Sequence, residues 1–173
     1  FDTTEQRRAA AELQRQRGFL RAVIDADEDC IYAKDTEGRY VLVNHAFLAF
    51  FDLREKDVLG RTMTEVFGAL PSVRQSQAAD DEARRSGQMN VVEQTIDSAR
   101  GPRRMLIRRS SILSSDGAPW LLGVARDVTE LRGQEDQLRR QQQFMSEVIN
   151  LAPSQIFVRD AQMRYVMVNA ALA

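Results

Sequence analysis

The spacing of apolar and polar positions changes several times along the chain, and each change marks a predicted element. Residues 2–26 are rich in Ala, Gln, Glu and Arg, lack Pro, and set Leu13, Leu20 and Ile24 among polar neighbours. That is a helix pattern. Two β-rich runs follow, residues 30–34 and 39–43, around Asp35-Thr36-Glu37-Gly38. They predict a hairpin, with Gly38 supplying the left-handed backbone that such a turn often requires. Asn44 then precedes the apolar stretch 45–51, where its short polar side chain is placed to cap a helix by accepting an N–H from near Phe47. Residues 53–59 predict a short helix closed by Gly60, and Thr62-Met63-Thr64-Glu65 matches a capping box that starts another. Residues 71–85 form a longer, mostly polar helix with Pro at its start and Gly87 after its end. The runs 88–97, 103–113 and 120–128 read as strands, separated by turns at 98–101 and 115–117. The predicted order is helix, two strands, several short helices, three strands.

The opening of this pattern occurs twice. Residues 1–48 lie over residues 126–173 without a gap, at a constant offset of 125, and 18 of the 48 positions are identical. Matches include Leu13/Leu138, Phe19/Phe144, Ile24/Ile149, Ile31/Ile156, Asp35/Asp160, Tyr40/Tyr165 and Asn44/Asn169. Self-similarity at a fixed period indicates tandem copies of one module. The expected organisation is the end of a preceding module and a linker helix at 1–18, a complete module at 19–129, a linker helix at 130–143 and the truncated start of a second module at 144–173. Where the first copy has Gly38 the second has Met163, so its turn is expected to differ in shape. A hairpin without its remaining strands is marginal in water, so its edges are expected to be disordered or to pair with another chain. In the linker, Leu131, Leu138 and Met145 recur every seven residues, with Gln134, Gln141 and Val148 three positions on. Two readings stand side by side: a parallel dimer coiled coil with a weak second seam position, and a solvated helix with one apolar stripe.

Charge and composition narrow the function. A net charge of −1 with 28% charged residues gives no basic field for nucleic acid. No apolar run approaches the roughly 20 residues that span a bilayer, so direct membrane insertion by this chain is not expected. A single Cys permits no internal disulfide and fits a reducing, cytoplasmic setting, which leaves open a membrane-anchored parent. Asp80, Asp81 and Glu82 read as a solvated helix face because no base or nucleophile accompanies them. Arg100, Arg103, Arg104, Arg108 and Arg109 are read as a solvated sheet face offset by Asp97, Asp116 and Asp127; an anionic ligand or acidic partner is the alternative. Phe47, Phe50, Phe51, Phe67 and Trp120 read as core.

The element order, together with Asp35-x-x-Gly38-Arg39-Tyr40-x-x-x-Asn44-x-x-Phe47, Gly60-Arg61-Thr62-x-x-Glu65-Val66-Phe67 and Gly123-x-x-Arg126-Asp127-Val128-Thr129-Glu130, resembles the PAS domain. Asp2-Thr3-Thr4-Glu5 looks like the closing signature of a preceding copy. The resemblance implies an α+β fold: a five-stranded antiparallel sheet with short flanking helices, preceded and followed by amphipathic signalling helices. It also implies a cavity between sheet and helices, for which Ile31, Ala33, Val41, Val43, Phe47, Met63, Phe67, Val92 and Leu121 are the candidate lining. Asp127, bonded to a basic group or a backbone N–H, and Thr129, capping the outgoing helix, are the candidate coupling residues.

No catalytic or metal-binding residues are expected. The flavin-binding light sensors of this family carry a Cys on a helix that here is 62–67 and has none, while Cys30 on the first strand reads as packing. Haem-binding members place a His on the long helix, here 71–85, which has none; His45 beside a cap reads as a surface residue. No cofactor is therefore expected, and any ligand should be small and noncovalent. The resulting reading is a regulatory sensor or signal-relay module of a bacterial signalling protein, acting as a homodimer through its linker helices beside neighbouring modules and an output domain, such as a histidine kinase or a cyclic-dinucleotide enzyme. A ligand-free interaction module is the alternative, and an enzyme is the weakest of the three because no nucleophile, base and orienter are visible.

Overall fold

The computed structural model describes residues 3–171, and the chain divides after Val128 into two compact units. Asp2, part of the first closing signature, lies outside the described residues.

The first unit opens with α1 (Thr3–Asp25), then β1 (Cys30–Lys34), β2 (Tyr40–Val43) and α2 (His45–Phe51). A 3₁₀ turn (Glu55–Asp57), α3 (Met63–Phe67) and α4 (Pro71–Ser86) follow, then β3 (Asn90–Ser98), β4 (Gly101–Leu113) and β5 (Pro119–Asp127). The strands form one five-stranded antiparallel sheet in the order β2-β1-β5-β4-β3. The predicted caps are in place: Asn44 accepts from the Phe47 N–H, and Thr62 and Glu65 complete the reciprocal capping box on α3. The run 53–59 makes only the 3₁₀ turn, not the helix expected there. The chain must straighten to flank Tyr40, whose carbonyl accepts from the Gly60 N–H at 2.8 Å and whose N–H donates to the Arg61 carbonyl at 2.9 Å.

Register sets the two faces of the sheet. Tyr32 stands opposite Gly123, Cys30 opposite Ala125, and both Ala125 and Gly123 stand opposite β4 positions Ile107 and Arg109. One face therefore carries Cys30, Tyr32, Lys34, Ile107, Arg109, Leu121 and Ala125, and the helices cover it. Gly123 is needed because the Tyr32 ring lies across it: a Cβ there would fall 2.1 Å from Tyr32 Cζ. Tyr32, Tyr40 and Phe47 stack with centroids 5.6–5.9 Å apart, and Phe51 and Phe67 extend the cluster. Such tilted and edge contacts stabilise beyond area burial alone.

The second unit contains α5 (Thr129–Leu151), β6 (Phe157–Arg159) and β7 (Tyr165–Val168), the strands paired antiparallel. It reproduces the first hairpin bond for bond. Asp35 Oδ1 accepts from the Glu37 and Arg39 N–H groups, and Asp160 Oδ1 from those of Gln162 and Arg164, each at 2.9 Å. The expectation of a differently shaped second turn is therefore wrong. Met163 adopts φ 66°, close to the 76° of Gly38, and closes the same turn onto the Asp160 carbonyl at 2.9 Å. The aspartate and the strand pairing hold a side-chain-bearing residue where glycine is favoured, at a cost of about 1–2 kcal/mol. Met163→Gly is accordingly expected to stabilise the second unit by about 1 kcal/mol, read as a later transition of that unit in chemical denaturation. An unchanged or earlier midpoint would show that the turn is relaxed as it stands.

Candidate functional site

Between the covered sheet face and α2, α3 and α4 lies a cavity of about 270 Å³. Its apolar wall comes from Cys30, Phe47, Phe51, Met63, Phe67 and Val73, and its polar wall from Ser76, Gln94, Thr95 and Arg109. Gln94 Nε2 donates to Ser76 Oγ at 3.0 Å, tying α4 to β3 at the polar wall.

Of the predicted lining, Phe47, Met63 and Phe67 face this cavity. The others do not. Ile31, Ala33 and Val41 border a separate apolar hollow on the opposite sheet face, with Ile112, Trp120, Leu122 and Val124. The inward positions of β1 are Cys30, Tyr32 and Lys34, one residue out of step with the expected Ile31 and Ala33. Val43 and Leu121 are packed in the core, and Val92 is exposed although it stands opposite Ile107. Trp120, expected in the core, is half-buried on the hollow side.

The largest departure from the sequence reading is Asp80. It is 2% exposed rather than solvated, and two buried cations converge on it. Lys34 Nζ lies 2.5 Å from Oδ2 and Arg109 Nε donates to Oδ1 at 2.6 Å, while the Tyr32 hydroxyl donates to Oδ1 at 3.2 Å. Lys34 and Arg109 are 2% and 1% exposed, so Arg109 leaves the solvated patch proposed for it. The rest of that patch is at the surface: Arg103 binds Asp127 at 2.7 Å and Arg104 binds Glu93 at 3.1 Å. Lys34 also sits over the Tyr40 ring, 4.7 Å from its centroid. Burial lowers the Lys34 pKa, and the Asp80 carboxylate opposes that fall. Burial pushes the Tyr32 hydroxyl well up, and Asp80 adds to the rise, so Tyr32 stays a neutral donor. Sequence offered one signal for this cluster: a Lys on an otherwise apolar strand whose neighbours on the same face must be buried.

Cys30 is buried, and burial followed by Asp29 and Asp127 pushes its thiol up to about 12, which keeps it protonated and unreactive. His45 is exposed beside the α2 cap. Among the described residues, no three His, Cys, Asp or Glu side chains gather where they could hold a metal ion.

Of the coupling candidates, Asp127 has the basic partner expected of it, Arg103, and Thr129 is the first residue of α5. The predicted cap is only part of what Asn44 does. It is wholly buried, and its amide ties four groups: Oδ1 accepts from the N–H groups of Ile31 and Phe47 at 2.9 and 3.0 Å, and Nδ2 donates to the carbonyls of Ile24 and Asp29 at 3.1 and 2.8 Å. The end of α1, strand β1 and the cavity residue Phe47 thus share one side chain.

Comparisons with known proteins agree with this architecture. The virulence sensor protein BvgS of Bordetella pertussis is 39% identical over 61 residues, which is 35% of this chain and 5% of that protein. The methanogenesis regulatory histidine kinase FilI of Methanothrix harundinacea is 27% identical over 129 residues, 73% of this chain and 14% of that protein. The chain thus spans only a small part of either relative. Among solved structures, the PAS domain of Bordetella pertussis BvgS superposes with a TM-score of 0.58 at 24% identity, covering 74% of this chain and 97% of that one. The PAS domain of the HTR-like protein of Haloarcula marismortui gives 0.53 at 20% identity, covering 70% and 98%. The model of the PAS fold family matches residues 24–133, more than half of the sequence, and the chain belongs to that family.

Proposed function

We propose that the complete module is a regulatory sensor that holds a small noncovalent ligand in its cavity and relays occupancy through the helices at its two ends. The observation that carries this reading is the Asn44 link, which joins the cavity wall at Phe47 to the end of α1. Asp127, held by Arg103 at the end of β5, is the corresponding element on the outgoing side. The relatives named as a virulence sensor and a regulatory histidine kinase support a parent protein with a kinase output, and the lone buried thiol suits a cytoplasmic setting. No helix among the described residues is long and apolar enough to cross a membrane. Leu13, Leu20 and Val23 on α1 are at least half exposed, which favours a homodimer through this helix. No catalytic step is assigned to this chain.

Phe67→Trp tests the cavity, since the larger ring should occupy part of it. The expected result is a change in unfolding free energy below about 1.5 kcal/mol together with loss of the melting shift that small ligands produce in the unaltered chain. Strong destabilisation without any ligand-dependent shift in the parent sequence would mean a packed interior and favour the ligand-free interaction module.

A further inference from the structure

The cavity has a chemical preference written into its polar wall. Two cations, Lys34 and Arg109, share the single carboxylate of Asp80, and all three are at least 98% buried. Other acidic groups nearby are engaged or lie at the surface: Asp81 pairs with Arg84, Glu93 with Arg104, and Asp97 is an exposed residue of the cavity lining. Arg109 uses Nε on Asp80, yet its Nη1, equally buried, has no hydrogen-bond partner among the described residues. A buried charged donor without a partner costs more than an ordinary hydrogen bond contributes, so such groups are rare unless something supplies the acceptor. The deficit survives either state of Lys34: a neutral lysine would remove the excess charge but not the unpartnered Nη1.

Arg109 lines the same cavity as Phe47, Phe51, Met63 and Phe67. Resting on the sensor reading above, we infer that the ligand is a small monocarboxylate with an apolar body, its acid group taken by Arg109 and its body by the aromatic wall. A carboxylate supplies both the missing acceptor and the missing negative charge, and guanidinium binds it in a planar, charge-assisted geometry. Size sets a limit. A cavity of about 270 Å³ suits the body of a short aliphatic or single-ring acid.

The test uses hexanoate and phenylacetate against their neutral counterparts hexanamide and phenylacetamide, with affinity for the 173-residue chain measured by calorimetry and thermal shift. At least one acid is expected to bind tenfold or more tightly than its amide. Arg109→Met removes the cation and leaves Lys34 and Asp80 as a balanced pair; it should bring acid and amide to within about threefold of each other. Amides that bind as well as the acids would overturn the carboxylate assignment while leaving the sensor reading intact. Failure of all four probes at millimolar concentration would overturn the carboxylate assignment, while the sensor reading stands or falls on the Phe67→Trp experiment. If Arg109→Met does not fold, the acid-to-amide ratio in the unaltered chain decides alone, because a cavity without a charged acceptor preference gives a ratio near one.

Discussion

Asp80→Ala is expected to destabilise the first unit by about 3–5 kcal/mol, because removing one partner of a buried ionic cluster strands the charges that remain. Lys34 and Arg109 would be left facing each other with almost no water to reach them, and the Tyr32 hydroxyl would lose its acceptor. Lys34→Met should be much milder. It leaves Asp80 and Arg109 as one anion and one cation, so the pair of variants separates charge imbalance from loss of packing. Urea denaturation reads the difference as a shift in midpoint at constant slope. A folded Asp80→Ala variant within about 1 kcal/mol of the unaltered chain would mean that water reaches the cluster.

The cluster matters less as a source of stability than as a device for placement. Exchanging buried ion pairs for apolar groups is often neutral or stabilising, so their retention calls for another reason. Here the three charges come from β1, α4 and β4, and β1 and β4 are not neighbours but flank β5. A single carboxylate on α4 therefore fixes that helix over the middle of the sheet. The cavity lies along the same helix, through Val73 and Ser76, so its width depends on where Asp80 is held. A ligand that engages Arg109 would pull on the same point.

How much was legible in the sequence follows from how local each signal is. Caps, turns and strand runs depend on a few adjacent residues, and the Asn44 cap, the capping box at Thr62 and Glu65, and the Gly87 stop all appear where expected. The lining of the cavity depends on which face of each strand is inward, and that is set by pairing partners remote in sequence. Cys30-Ile31-Tyr32-Ala33-Lys34 looks most apolar at Ile31 and Ala33, but the inward positions are the other three. Asp80 misled for the same reason. In a polar helix it resembles Asp81 and Glu82, which pair with Arg84 and Arg85 of their own helix, while its own partners are 46 and 29 residues away. Met163 shows the reverse: a residue with the wrong intrinsic preference is held in the turn by an aspartate and strand register that the alignment had already matched.

Asn44→Ala should cost about 2–4 kcal/mol, since a fully buried amide would leave two N–H groups and two carbonyls without their partner. The repeat supplies an internal copy of the experiment. Asn169 is likewise buried, accepts from the Ile156 N–H at 2.9 Å and donates to the carbonyls of Ile149 and Ser154 at 3.1 and 2.9 Å. The next bond is reproduced too: Asp25 accepts from the His45 N–H at 2.8 Å, and Asn150 from that of Ala170 at 2.9 Å. One side chain that ties helix end, loop and strand, at matching positions in both copies, is a joint between the linker helix and the module it enters. Amide exchange distinguishes a joint from a mere cap. With Asn44→Ala, protection should fall at Ile31 and Phe47 and along the last turn of α1 together, while the β3–β4 pairing keeps its protection. Loss confined to the Phe47 amide would reduce Asn44 to a helix cap. Loss spread evenly over the sheet would mean that the residue supports the core, not the passage from cavity to helix.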